Sequence, residues 1–156
     1  MDKVVRRIAS FSVNHDYITE GIYVSRIDGD VTTYDLRTRR PNAGDYMDNI
    51  TMHSVEHLFA TLVRSSEIGE RVIYFGPMGC MTGFYLLVRD ADNDEVLAVT
   101  KDILKKISVY DGEMPGGTRE ECGNYRMLDV SSARVEAMRY LDCLNSYTPD
   151  FKYKEG

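Results

Sequence analysis

The sequence lacks any long apolar run, since no stretch approaches the roughly 18 residues that are needed to span a bilayer. The first residues, MDKVVRRIASF, also lack the apolar segment of a secretory signal. An excess of positive charge is missing as well, because 19 Lys and Arg stand against 25 Asp and Glu, for a net charge of -6. Nucleic acids and acidic membranes attract basic surfaces. We therefore expect neither of them as a partner.

Cysteines are few. There are three, so they cannot all pair with one another, and each is expected to be free, metal-bound or catalytic. This usage is typical of a reducing compartment and predicts a cytoplasmic protein. No repeat or low-complexity tract divides the chain, and its 156 residues fit one domain, 1–156, with a single core.

A hairpin is the first element that the pattern predicts. Residues 22–24 and 31–36 are rich in β-branched and aromatic side chains, and they flank Asp28-Gly29, a strong two-residue turn signal.

Apolar spacing predicts five more elements, namely three helices and two strands. The second of these helices begins at a capping box, Asp92-x-x-Glu95. The five elements are a helix over 51–65, strands over 71–75 and 82–88, the helix that follows residue 92, and a last helix over 132–144 with Ala137, Met138, Leu141 and Leu144 facing inward. This order predicts an α+β fold, in which an antiparallel β-sheet packs against helices in a single compact domain.

The sharpest chemical signal is His53-Ser54-Val55-Glu56-His57, an H-x-x-E-H motif on the first long helix. Two histidines four residues apart lie about 40° from each other on a helix, so both rings can reach one ion at about 2.0–2.1 Å. Glu56 lies within the same arc of about 100° and can approach the open position of a metal as a base. The motif predicts a divalent metal site.

Cys122 is the best third ligand, because it lies in a turn rich in Gly and Asn that could aim a thiolate inward. A thiolate beside two imidazoles suits zinc, ferrous iron or cobalt. On its own, such a cysteine is more often a small buried apolar residue. Two alternatives stay open. H-x-x-E-H is also the signature of inverted-zincin metallopeptidases, which take a carboxylate as third ligand. A non-catalytic structural zinc site would normally close with four protein ligands.

Cys80 ends a Gly-Pro-Met-Gly-Cys loop, whose backbone can point amides at an anion and favour a thiolate. The alternative is a structural thiol in a tight turn. Cys143, in the last predicted helix, is interpreted as a packing residue. By itself, His15 indicates only a surface or hydrogen-bonded core histidine, and the basic cluster at residues 37–40 indicates a solvated face.

Taken together, these residues resemble the S-ribosylhomocysteine lyase family, bacterial enzymes that make the precursor of the quorum-sensing signal autoinducer-2. The similar segments occur in order over about three quarters of the chain. They are Ser10-Phe11 with His15, Asp35-Leu36-Arg37, Arg40-Pro41-Asn42, the H-x-x-E-H motif with Leu58, the run from Gly76 to Tyr85, and Cys122-Gly123-Asn124-Tyr125.

The resemblance implies a homodimer with active sites at the subunit interface and one divalent ion per subunit, Fe2+ in the cell with Zn2+ or Co2+ possible. It implies cleavage of the small-molecule substrate S-ribosylhomocysteine to homocysteine and 4,5-dihydroxy-2,3-pentanedione by carbonyl shifts and β-elimination. The site residues that it implies are His53, His57 and Cys122 for the metal, Cys80 and Glu56 as the acid–base pair, and Ser10, His15 and Arg37 for the substrate.

The sequence departs from the common family pattern at four positions. Tyr74 stands where many members carry aspartate, Gly76 where many carry serine, Asn14 where aspartate is usual, and Leu128 where histidine is usual. None of the four is an implied metal ligand or base.

Overall fold

In the computed structural model, which describes residues 8–154, four strands form one antiparallel sheet in the order β1-β2-β4-β3. The strands are β1 Gly21–Asp28, β2 Val31–Arg37, β3 Val72–Pro77 and β4 Gly83–Arg89. Asp28 pairs with Val31, so the two loop residues of the hairpin are Gly29 and Asp30, one residue later than predicted. Gly29 has φ of 60°, a value that glycine adopts without strain.

Three long helices follow the predicted order, and one short helix precedes them. The helices are α1 Ala9–Ser12, α2 Asn49–Arg64, α3 Asn93–Ser108 and α4 Val130–Asn145, with 3-10 turns at His15–Tyr17 and Gly69–Arg71. An aspartate caps each long helix by accepting a hydrogen bond from an N–H of the first turn. Asp92 is thus a cap as predicted, but its expected partner Glu95 instead forms an ion pair with Arg71, the last residue of the 3-10 turn before β3.

The core lies between one sheet face and helices α2, α3 and α4. Three phenylalanines stack across it, with ring centroids 4.3 Å apart for Phe59 and Phe75 and 5.1 Å apart for Phe75 and Phe84. This arrangement confirms the α+β prediction. No helix within residues 8–154 has the length and apolar character required to cross a membrane.

Helix α4 is rotated relative to the sequence-based prediction. Ala137 and Leu144 are buried as expected, but Met138 is 53% exposed, so its inward placement was wrong. Tyr140 takes the buried face instead, and its hydroxyl donates to the carbonyl oxygen of Gly21 at 2.7 Å. The buried polar ring anchors α4 to the sheet, which an apolar pattern alone does not indicate. Cys143 is half-buried against the core, consistent with its interpretation as a packing residue.

None of the three long helices packs on the opposite face of the sheet, which is here called the outer face. Tyr74 on β3 is 50% exposed and its neighbour Ile73 is 40% exposed. Tyr74 is opposite Leu87 of β4, and both line a shallow groove with Thr33 of β2. An apolar surface of this kind on a sheet is typical of a contact region.

Candidate metal centre and active site

Helix α2 positions the two histidines of the motif. Val55 and Phe59 point into the core, which turns His53 and His57 to the edge of the helix, where both are half-buried. The two rings lie 4.6 Å apart between centroids and nearly perpendicular, at 86°. The helix therefore presents both imidazoles to one point, as the four-residue spacing predicts.

Backbone carbonyls orient both rings. Nδ1 of His53 lies 2.8 Å from the carbonyl oxygen of Met127, and Nδ1 of His57 lies 2.8 Å from that of Pro115. A carbonyl can only accept, so in each ring Nδ1 carries a proton, and Nε2 is the nitrogen that is left to bind an ion. Hydrogen bonds of this kind fix the tautomer of metal-binding histidines.

Cys122 reaches the same point from residues 109–129, the loop between α3 and α4. Its Sγ lies 3.3 Å from Nε2 of His53, and the N–H of Asn124 donates to the sulfur at 3.4 Å. The backbone N–H of Cys122 donates to the carbonyl oxygen of Thr118 at 3.1 Å, which closes the turn that aims the thiol.

The donor set fits a divalent ion. One ligand atom from each of His53, His57 and Cys122 lies within 4.8 Å of the other two. A tetrahedral ion at about 2.1 Å from nitrogen and about 2.3 Å from sulfur would separate those atoms by roughly 3.6 Å. The structure thus brings the three predicted ligands together, and Ser54 fastens the loop beside them by accepting from the N–H of Asp129 at 2.7 Å.

Glu56 lies on α2 between the two histidines and is half-buried. Among residues 8–154, no hydrogen bond or ion pair engages its carboxylate. A carboxylate beside a metal site that is not tied to a protein partner is suited to transfer protons.

Cys80 lies in the loop between β3 and β4, where Met81 adopts φ of 65°. The thiol is exposed, and its Sγ lies 3.0 Å from Oγ1 of Thr82. Nη1 of Arg37 lies 3.9 Å from the same sulfur. A cation and a hydroxyl therefore face this sulfur.

The sequence alone indicated that Arg37 belongs to a solvated basic face, and the structure shows that this interpretation was wrong. Arg37 is only 3% exposed, and its Nε and Nη2 donate to the two carboxylate oxygens of Asp35 at 3.0 and 2.6 Å. Burial disfavours the guanidinium charge, but the carboxylate of Asp35 outweighs it and raises the pKa of Arg37. Nη1 donates to Thr82 at 2.8 Å. Alternation along β2 puts residues 35 and 37 on one face, so this pair could have been found from sequence.

The family model of S-ribosylhomocysteinase (LuxS) matches residues 8–149 of the chain. The chain belongs to this family. It is 42% identical over 147 residues to S-ribosylhomocysteine lyase of Finegoldia magna, a match that covers 91% of this chain and 94% of the relative. The corresponding enzyme of Clostridium beijerinckii is 38% identical over 144 residues, covering 88% and 91% of the two chains.

Two of the substrate residues implied by the LuxS resemblance lie near the N-terminus. His15 is half-buried, and its Nδ1 lies 2.9 Å from the carbonyl oxygen of Val13. No hydrogen bond or ion pair within residues 8–154 joins His15 to Cys80 or to the three metal-binding candidates. Ser10 belongs to α1, but its side chain lies outside the part of the structure that is described. Their substrate roles stay predictions.

Two departures of this LuxS-family chain from the common pattern are linked in space. A Cβ atom at Gly76 would lie 1.9 Å from the hydroxyl oxygen of Tyr74. The tyrosine side chain therefore occupies the space that a side chain at position 76 would need. A serine at position 76 would therefore require Tyr74 to move.

Proposed function

We propose that this chain is an S-ribosylhomocysteine lyase, which cleaves S-ribosylhomocysteine to homocysteine and 4,5-dihydroxy-2,3-pentanedione. One observation carries the proposal: in a chain of the LuxS family, His53, His57 and Cys122 converge within 4.8 Å. Relatives from Finegoldia magna and Clostridium beijerinckii carry the name of this activity.

The bound ion would supply Lewis-acid polarisation of the carbonyl oxygen of the open-chain sugar, which makes the neighbouring C–H acidic. The two histidines and the cysteine would hold this ion, since one ligand atom from each lies within 4.8 Å of the other two. We propose Fe2+ in the cell, with Zn2+ or Co2+ able to replace it, because one thiolate and two imidazoles suit all three ions.

Cys80 and Glu56 are the proposed acid–base pair. A base removes the C2 proton of the aldose, and return of a proton to C1 moves the carbonyl to C2. A second transfer of this kind moves the carbonyl to C3. Removal of the C4 proton then expels the C5 thiolate as homocysteine, and the enol that is left becomes the dione. Two bases on different sides of the sugar serve these steps, and each is worth typically ~10²–10⁴-fold in rate.

Thr82 and Arg37 assist Cys80 in this scheme. The hydroxyl at 3.0 Å and the guanidinium at 3.9 Å hold in place the sulfur that takes the first proton. Arg37 is only 3% exposed, and its Nε and one N–H of Nη2 already donate to Asp35, so few of its N–H groups are left for direct contact with the substrate.

The two alternatives find no support in the site. An inverted-zincin peptidase needs a carboxylate as third ligand, whereas the atom beside Nε2 of His53 is the sulfur of Cys122, at 3.3 Å. A structural zinc site needs four ligands, whereas the group found within residues 8–154 contains three.

We further propose a homodimer whose active sites lie at the subunit interface, with the outer face around Ile73 and Tyr74 as the contact region. These side chains are 40% and 50% exposed in the single chain. A cytoplasmic location is proposed with it, because all three cysteines are free thiols. Sedimentation of a monomer that keeps full specific activity would contradict the dimer.

The test of the activity is release of thiol from S-ribosylhomocysteine. Catalytic amounts of the Co2+-loaded protein are incubated with the substrate, and free homocysteine is titrated against time. We expect multiple turnovers with the wild type and almost none with Cys80→Ala, which serves as the matched control. Absence of thiol release from protein that holds one ion per chain would refute the proposal.

A further inference from the structure

The last described residues, 149–154, run beside the edge strand β1. The N–H of Val24 donates to the carbonyl oxygen of Phe151 at 2.9 Å, and Phe151 forms a parallel bridge with Tyr23. Phe151 is only 7% exposed, and its ring meets that of Tyr34 edge-on at 6.3 Å. Its φ of 64° is unusual for a residue with a large side chain, and such a conformation persists only where the surroundings determine it. The segment is therefore anchored to the sheet.

Tyr153 extends this anchor across the outer face. Its ring stacks on that of Tyr23, with centroids 5.0 Å apart and planes at 19°. Its hydroxyl lies 2.7 Å from Oδ2 of Asp35. Burial, with the charge of Asp35 added to it, raises the pKa of Tyr153 far above its ordinary value, so the hydroxyl is neutral and donates to the carboxylate.

Asp35 connects this hydroxyl to the active-site loop. Its carboxylate is fully buried and accepts from Nε and Nη2 of Arg37 as well as from Tyr153. The third nitrogen of the guanidinium, Nη1, lies 2.8 Å from the hydroxyl of Thr82 and 3.9 Å from the sulfur of Cys80. An unbroken series of polar contacts thus joins the C-terminal segment to Cys80.

We propose that Tyr153 is a positioning residue for Cys80, which acts through the buried Asp35–Arg37 pair to keep the cationic Nη1 facing the sulfur. The inference rests on the proposed function for the role of Cys80 as a base, although the contacts themselves do not depend on that role.

The direction of the effect follows from the charges. Tyr153 shares the negative charge of Asp35 by hydrogen bonding to it, so the carboxylate cancels less of the positive charge that Arg37 presents to Cys80. Without the hydroxyl, the carboxylate of Asp35 carries its full negative charge and attracts the guanidinium of Arg37 more strongly. The positive electrostatic potential that Arg37 creates at the sulfur of Cys80 is then weaker. Inside a protein such charge effects are screened less than in water. Loss of the hydroxyl should therefore lower the reactivity of the sulfur of Cys80 towards an alkylating agent.

The test is the rate of alkylation of Cys80 by iodoacetamide at neutral pH, without substrate, followed by peptide mass spectrometry. Tyr153→Phe removes the hydroxyl and keeps the stacked ring. We expect Cys80 to react roughly three- to tenfold more slowly than in the wild type, as for partial loss of one hydrogen bond to a charged group. The rate at Cys143, which lies outside the contact series, should not change.

Tyr147→Phe is the matched control. It makes the same chemical change in the same part of the chain, but its hydroxyl accepts from the N–H of Ile22 at 3.1 Å and does not contact Asp35. A wild-type rate at Cys80 in Tyr153→Phe, or equal slowing in both variants or at both cysteines, would overturn the proposal. Because the assay contains no substrate, its outcome is independent of whether the chain is a lyase.

Discussion

The loop that carries Cys122 allows a sharp test of the metal centre through Gly116. This residue has φ of 65°, and a Cβ atom placed on it would lie 3.3 Å from Nδ1 and 3.5 Å from Cε1 of His57. Nδ1 is the atom that holds the ring to the carbonyl oxygen of Pro115 at 2.8 Å. A methyl group at position 116 therefore presses on the ring at the hydrogen bond that orients it.

The expected magnitude of Gly116→Ala has two parts. The left-handed backbone costs an alanine about 1–2 kcal/mol of folding free energy wherever it occurs. The contact with His57 adds a cost that falls on the metal site, because loss of an orienting hydrogen bond typically lowers metal affinity ~10–100-fold. We expect a loss near the lower end, about tenfold or ~1.4 kcal/mol, since a shift of a few tenths of an ångström relieves the contact.

Gly44→Ala separates the two parts. Gly44 has φ of 76°, but nothing lies within 4 Å of a Cβ atom built on it. Co2+ affinity is measured for both variants by competition with a chelator, and thermal unfolding is measured on the metal-free proteins. Both variants should lose similar stability, whereas only Gly116→Ala should bind Co2+ more weakly. Equal Co2+ affinities in the two variants would show that the loop does not hold His57 as described.

Three further outcomes are expected. Cys122→Ala should lose most of its metal and stability, because metal binding contributes folding free energy; near wild-type metal content would remove Cys122 from the ligand set. Cys80→Ala and Glu56→Gln should keep the metal but lose at least ~10²-fold in turnover. In deuterated solvent, NMR should show that Cys80→Ala accumulates unreacted aldose, whereas Glu56→Gln still replaces some of the C2 proton with deuterium. The reverse pattern would show that the roles of the two residues are assigned the wrong way round. The hydrogen bond from the N–H of Thr51 lowers the pKa of Asp48 in the folded protein. The cap therefore contributes its full stabilisation of α2 when the pH is above the ordinary pKa of an aspartate, and this contribution is lost as the pH falls through the lower pKa of the folded state. Asp48→Ala should therefore cost about 1 kcal/mol of unfolding free energy at neutral pH and little in strong acid, and an equal loss at both would contradict this reasoning.

Elements with a strong period could be predicted closely from the sequence. The helix expected over 51–65 is Asn49–Arg64, and it begins two residues earlier because the side chain of Asp48 accepts from Thr51. The four-residue helix Ala9–Ser12 was not predicted, since it is too short to show a period. The rotation of α4 was missed because Tyr140 is buried through a hydrogen bond to a backbone carbonyl, which has no sequence signature.

The candidate site was predictable to the extent that its geometry is local. The spacing of His53 and His57 follows from one helix, so their convergence needs no knowledge of the fold. Cys122 is 69 residues from His53, and its place beside Nε2 depends on the path of a loop without regular structure. The carbonyl groups of Pro115 and Met127 could not be found at all, because every residue carries one.

The path of residues 109–129 has a consequence for how tightly an ion is held. The loop supplies Cys122 and both orienting carbonyls but contains neither helix nor strand, whereas the two histidines lie on a rigid helix. The affinity for the ion should therefore include the conformational entropy that this loop loses when it is ordered. Removal of the ion by a chelator should expose the loop to proteases. A single cut between residues 109 and 122 would leave all three ligand side chains chemically intact, but it would break the connection between α3 and the segment that carries Cys122.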